Sequence, residues 1–91
     1  MKNVIYTQRV ELVKNYKERR DCSDQRINKF IKECGFLPLP IPNDPDLLQD
    51  LVHNLKPTGI VLTGGNSLVK YGGNVPERDA MDEAMIRIAI M

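Results

Sequence analysis

The chain has 91 residues, a net charge of +1 with its one histidine neutral, and 42% hydrophobic residues. These values admit one small domain with a thin core. They point to neither disorder nor nucleic-acid binding, and no apolar run approaches the ~20 residues that a spanning helix needs.

In chain order, the first segment is NVIYT, residues 3–7. It is β-branched and aromatic, which predicts a buried strand. QRVELVKNYKERR follows, mixed and charged, and reads as a long loop or a partly helical excursion. From Asp21 the pattern turns helical. Ile27, Phe30, Ile31 and Cys34 fall at i, i+3, i+4 and i+7 on one face. Asp21 or Ser23 is the expected N-cap, and Gly35 suits the position after the helix end.

FLPLPIP, residues 36–42, is apolar but holds three prolines. Proline donates no ladder hydrogen bond, so an edge strand or an extended segment is expected. NDPDLLQDLVHNLK then opens with cap residues and carries Leu47, Leu48, Leu51, Val52 and Leu55 as a helical stripe. His53 lies off that stripe, on the solvent side. GIVLT, residues 59–63, is apolar at consecutive positions, as in a strand covered on both faces. After a glycine loop, ERDAMDEAMIRIAIM reads as a helix with Ala80, Met81, Ala84, Met85, Ile88 and Ala89 facing the core. Asp79 and Glu83 belong to its acidic opening, which suits the helix dipole. The order β-α-β-α-β-loop-α implies an α/β fold with a parallel sheet and right-handed crossovers. The chain ends inside the last helical pattern, so a further strand is expected to be missing.

The amino terminus, MKNVIYTQRV, lacks a signal peptide's long apolar core and cleavage site. Cys22 and Cys34 match neither CxxC nor zinc-knuckle spacing, and His53 has no ligand-spaced partner. A cytoplasmic protein with reduced thiols and no metal is expected.

Two adjacent glycines, Gly64 and Gly65, close the GIVLT run at the strand end where open parallel sheets place ligands. Glycine permits a sharp turn and leaves backbone N–H groups for an anion. A tight strand-exit turn is the plainer reading of the dipeptide alone. Neither GxGxxG nor GxxxxGK[ST] is present, so no nucleotide cofactor is expected.

The stretch GIVLTGGNSLVKYGGNVPERDAMDEAMIRIAI resembles the segment before the catalytic cysteine in class I glutamine amidotransferase-like hydrolases, in the γ-glutamyl hydrolase branch. The amino-terminal TQRVE and YKERRDCSDQRINKF…CGFLPLPIPN are similar to the same branch, particularly to its bacterial members acting on γ-glutamyl-CDP-amidate. The resemblance covers nearly the whole chain. It implies a three-layer, flavodoxin-like α/β domain, present here as its amino-terminal part and cut after the third β-α unit. It also implies a small-molecule γ-glutamyl substrate, with neither nucleic acid nor membrane as partner. In such enzymes a cysteine attacks the γ-carbonyl, a histidine moves the proton and an acidic residue orients it. The oxyanion is met by backbone N–H donors, one of them from the double-glycine loop. That loop corresponds to Gly64 and Gly65, with Gly65 the favoured donor.

The GxCxG elbow and the downstream histidine and acidic residue are not in the sequence, so the chain alone is expected to be inactive. Cys22, at a predicted helix start, and Cys34, on an apolar helix face, are not expected to replace the nucleophile. Asn66 and Tyr71 are candidate substrate contacts; a turn-forming Asn and a Tyr ring packed on its own loop are the plainer readings. Arg20, or its neighbour Arg19, has the fork to hold a phosphate or the glutamyl α-carboxylate, or else belongs to a solvated charged loop. Self-association, or pairing with a missing carboxy-terminal half, is the expected partner behaviour. The competing class is a non-enzymatic module that binds a small anion at the glycines or a partner along an exposed strand edge.

Overall fold

The computed structural model describes residues 1–64, 73 and 75–89. β1 (Asn3–Tyr6) lies at the centre of a parallel sheet of order β4-β1-β5, with β4 at Leu37–Pro40 and β5 at Gly59–Val61. Its alternating side chains sort the helices onto two faces. Ile5 faces α2 (Pro45–Leu55) and α3 (Pro76–Ala89), packing with Ile41, Leu48, Met81 and Met85. Val4 and Tyr6 face the other way, onto Ile31 of α1 (Gln25–Glu33). Each fully buried aliphatic or Met side chain contributes about 1.5–3 kcal/mol.

Residues between β1 and α1 differ from the expected loop or helical excursion. β2 (Arg9–Val13) and β3 (Glu18–Cys22) form an antiparallel hairpin. A 3₁₀ turn at Lys14–Tyr16 and a left-handed Lys17 (φ 51°) reverse the chain. On one face Arg9 pairs with Glu11, and Arg20 with Glu18, while Glu11 stands opposite Arg20. Such opposite charges support a two-stranded ladder. Val10 is buried on the other face.

The hairpin uses residues through Cys22, so Asp21 cannot start the helix, and Ser23 lies one residue before the observed cap. The N-cap is Asp24, whose carboxylate accepts from the Arg26 backbone N–H at 2.8 Å. At the other end Gly35 has φ +92°. Gly35 N–H donates to Lys32 O at 2.9 Å and Phe36 N–H to Ile31 O at 3.3 Å, closing a Schellman motif. Phe36 packs with Ile31 beneath it. Within the expected apolar face of α1, Phe30 (66% exposed) and Cys34 are at the surface.

β4 is an edge strand, and its proline spacing explains why. Leu37 and Ile41 donate backbone N–H groups to Lys2 O and Tyr6 O of β1's strand line, at 2.8 and 3.1 Å. Pro38 and Pro40 alternate with these donors, so their missing N–H groups fall on the unpaired side. In α2, Asp44 caps and Pro45 opens the helix. His53 is exposed, as its place off the stripe implied. Leu47 belongs outside the expected stripe, being 44% exposed.

Two further expectations are corrected. β5 is not covered on both faces: Val61 and Leu62 are 37% and 43% exposed. Among the described residues it pairs only with β1, so it lies at an edge. In α3 the buried stripe is Arg78, Met81 and Met85, while Ala80 and Ala89 are exposed. The helix turns Arg78, rather than Ala80, toward the sheet. Among the described residues no helix is long and apolar enough to cross a membrane.

Candidate functional site

The carboxyl ends of all three parallel strands meet in one hydrogen-bonded cluster. β1 runs into Thr7, which is fully buried, and β5 runs through Leu62 to Thr63. The two threonines tie these ends together. Thr7 N–H donates to Val61 O at 3.1 Å, and Thr63 N–H donates to Thr7 Oγ1 at 3.0 Å. Thr63 Oγ1 returns a bond to Thr7 O at 2.7 Å. The third strand joins through Gln8, whose Nε2 donates to Ile41 O at 3.0 Å.

Arg78 enters this cluster from the first turn of α3 and is only 3% exposed. Its Nη1 donates to Gln8 O, and its Nη2 to Thr63 O and, at 3.1 Å, to Thr7 Oγ1. Its Nε meets Asp82 Oδ1 at 3.1 Å, one helical turn on. A buried guanidinium is costly unless its donors are satisfied. Here one cation joins the exits of β1 and β5 to a helix, with Asp82 as its carboxylate partner.

The hairpin is fastened to the same end of the sheet. Asn43 Nδ2 donates to Gln8 O and to Asp21 Oδ1, both at 2.9 Å, and Asn43 N–H donates to Asp21 Oδ2 at 3.1 Å. Farther along, Arg19 makes a two-pronged pair with Glu77, with both distances 2.6 Å. The Arg19 bonds hold the Glu77 carboxyl below its ordinary range. Arg26 does the same to Asp24, lowering it to about 2.

Gly64 follows Thr63 directly. A Cβ placed on it would meet nothing within 4 Å. Beside it lies a cavity of about 130 Å³, lined by Arg9, Cys22, Ser23, Asp24, Ile27, Thr63 and Gly64. A wider groove of about 560 Å³ adjoins it, floored by Ile27, Phe30, Ile31 and Val61. The space by Gly64 thus has a polar end, formed by hairpin and helix cap, and an apolar wall from α1.

Of the expected site residues, Gly64 is at this cavity. Gly65, Asn66 and Tyr71 lie outside the described residues. Arg20 does not line the cavity: its guanidinium pairs with Glu18 at 2.7 Å and lies 5.8 Å over the Tyr16 ring. Cys22 is at the cavity, as the last residue of β3 and not at a helix start. Arg9 is held above its ordinary value first by the Cys22 thiol and then by Glu11. Cys34 is exposed. Among the described residues no three His, Cys, Asp or Glu side chains group as metal ligands.

The sequence reading missed Thr7, Gln8, Asn43 and Arg78. A signal existed for Arg78: it stands three residues before Met81, in register with the buried stripe. Comparison with protein-family models and with curated proteins gives no match.

Proposed function

We propose that this chain is the amino-terminal part of a class I glutamine amidotransferase-like cysteine hydrolase, with a flavodoxin-like sheet, that cleaves a γ-glutamyl amide and releases glutamate. The fold proposal draws support from the order β4-β1-β5, with α1 on one face and α2 and α3 on the other. The observation that carries the functional reading is the position of Gly64. It leaves a parallel strand at its carboxyl end, beside a cavity, as the LTGGN…YGG…ERD resemblance requires of an oxyanion loop.

In this reading the chain contributes charge stabilisation, not the nucleophile. Attack of a thiolate on the γ-carbonyl turns its oxygen into an oxyanion, which collapses to a thioester as the amine leaves. Water then releases glutamate through a second tetrahedral intermediate. Backbone donors fixed before the charge develops stabilise both intermediates. Gly64 and Gly65 occupy that role here. Cys22 does not serve as nucleophile: His53, the one histidine, is exposed on α2 and does not line the cavity beside Cys22.

Two measurements test the proposal. The purified chain, incubated with L-glutamine or a γ-glutamyl anilide, releases no glutamate; release that disappears in Cys22→Ala refutes the assigned division of labour. In amide NMR, titration with L-glutamine moves the Thr63 and Gly64 signals. Shifts confined to the hairpin tip place the ligand elsewhere and refute the site.

A further inference from the structure

The guanidinium of Arg78 bonds the carbonyl of Thr63, and that carbonyl belongs to the same peptide unit as the Gly64 N–H. From this geometry we propose that Arg78 is a positioning residue: it fixes and polarises the Thr63–Gly64 peptide so that the Gly64 N–H is presented as an anion donor. The inference rests on the reading of Gly64 as an oxyanion contact.

The argument is one of covalent geometry. There is no cis peptide among the described residues, so the Gly64 N–H points opposite to the Thr63 carbonyl, away from Arg78. Turning that plane would break the Arg78 bond to Thr63 O. Thr63 N–H and Oγ1, both bonded to Thr7, belong to the preceding peptide and the side chain, so they anchor the Thr63 Cα and stay in place in such a turn. Thr7 thus fixes the start of the peptide, and the Arg78 bond to Thr63 O fixes its plane.

Charge adds to orientation. A cation on the carbonyl oxygen draws electron density through the amide and makes its N–H a stronger donor, the cooperative effect of linked hydrogen bonds. The cation does not touch the ligand. Arg78 lines neither the small cavity nor the adjoining groove, and its Nε, Nη1 and Nη2 bonds go to protein oxygens. Gly64, in contrast, opens onto free space.

Lysine cannot reproduce this. Its single nitrogen lacks the fork that reaches Gln8 O, Thr63 O and Asp82 together. Arg78→Lys thus keeps the charge and loses the geometry, and it separates positioning from net electrostatics.

The test uses the unmodified chain, Arg78→Lys, Arg78→Gln and a core control, Met85→Ala, with inorganic phosphate as the anion probe. In the unmodified chain a scalar coupling across the hydrogen bond links an Arg78 nitrogen to the Thr63 carbonyl carbon. Both Arg78 variants shift the Thr63 carbonyl and Gly64 amide signals and weaken phosphate binding at Gly64 about tenfold, the scale of one modest hydrogen bond. Met85→Ala lowers stability but leaves the Gly64 response unchanged. Unaltered Thr63 and Gly64 signals in Arg78→Lys overturn the proposal. If neither Arg78 variant folds, absence of the coupling in the unmodified chain overturns it, and its presence supports it. If phosphate leaves Gly64 unmoved in every chain while the Arg78 variants still shift the Thr63–Gly64 peptide, the positioning stands and the oxyanion reading fails.

Discussion

Replacing Thr7 tests whether polar bonds or shape hold the strand ends together. Valine has the shape of threonine without the hydroxyl, so Thr7→Val opens no cavity in a fully buried position. It removes the oxygen that accepts from Thr63 N–H at 3.0 Å and from Arg78 Nη2 at 3.1 Å. Arg78 keeps its other acceptors, but the Thr63 N–H loses its partner. The Thr63 bond is part-buried, so its unsatisfied donor costs toward the lower end of about 1–3 kcal/mol, and a weakened charge-assisted bond adds to it. Relief from desolvating the hydroxyl offsets part, which leaves a net loss of about 2 kcal/mol. Thr7→Ser keeps the oxygen and loses a methyl group, at about 1 kcal/mol. For a chain of this size each kcal/mol lowers the melting temperature by roughly 4–8 °C. Thermal unfolding followed by circular dichroism, checked by urea midpoints, should rank unmodified above Ser above Val. A Val variant as stable as the unmodified chain, or a Ser variant below Val, refutes the role given to the hydroxyl.

Met81→Ala, at a fully buried position, should cost about 2–4 kcal/mol in urea unfolding, while Ile86→Ala, half exposed on the same helix, stays within about 0.5. Gly35 and Gly64 both have open space for a Cβ, but only Gly35 has positive φ. Gly35→Ala should therefore destabilise by about 1–2 kcal/mol and Gly64→Ala hardly at all; equal effects would contradict this account. Asp24→Ala should speed hydrogen exchange in the first turn of α1, and Ser23→Ala should not, because Asp24 is the cap. The carboxyls of Asp24, at about 2, and Glu77 are both depressed in the folded chain. Their stabilisation is complete above the unfolded carboxylate range, near pH 4, and is lost as pH falls through the folded values. Arg19→Gln should flatten that acid limb; an unchanged limb would show that the Glu77 pair does not contribute.

What could be read in advance depended on how local the signal was. The Gly35 helix end, the proline-marked edge strand and the Asp44–Pro45 helix start are all written in neighbouring residues, and all appear as expected. The hairpin also left a local trace, since R-V-E-L alternates with the period of a strand, but its dense charge masks it. The opposition of Glu11 to Arg20 becomes visible only once the chain has turned. Among the described residues β5 has a ladder partner on one side alone, and Val61 and Leu62 are exposed, neither of which a run of apolar residues encodes. Thr7 and Arg78 are 71 positions apart, and their contact exists only after three strands and α3 are assembled. At the candidate site, Gly64 stood out in the sequence, while Arg78, which bonds the carbonyl before it, did not.

The central place of β1 sets the order in which the chain can fold. Its ladder partners, β4 and β5, come far later in sequence, and chain closure must precede their pairing. The hairpin and α1, whose contacts are local, can form while the sheet is still open. During synthesis β1 is made before either ladder partner, so its Val-Ile-Tyr run lacks its full set of neighbours until translation has passed β5. Such non-local pairing slows folding and lengthens the time in which apolar segments meet other chains. Production at low temperature, or with chaperones present during translation, acts on that interval and not on the stability of the finished fold.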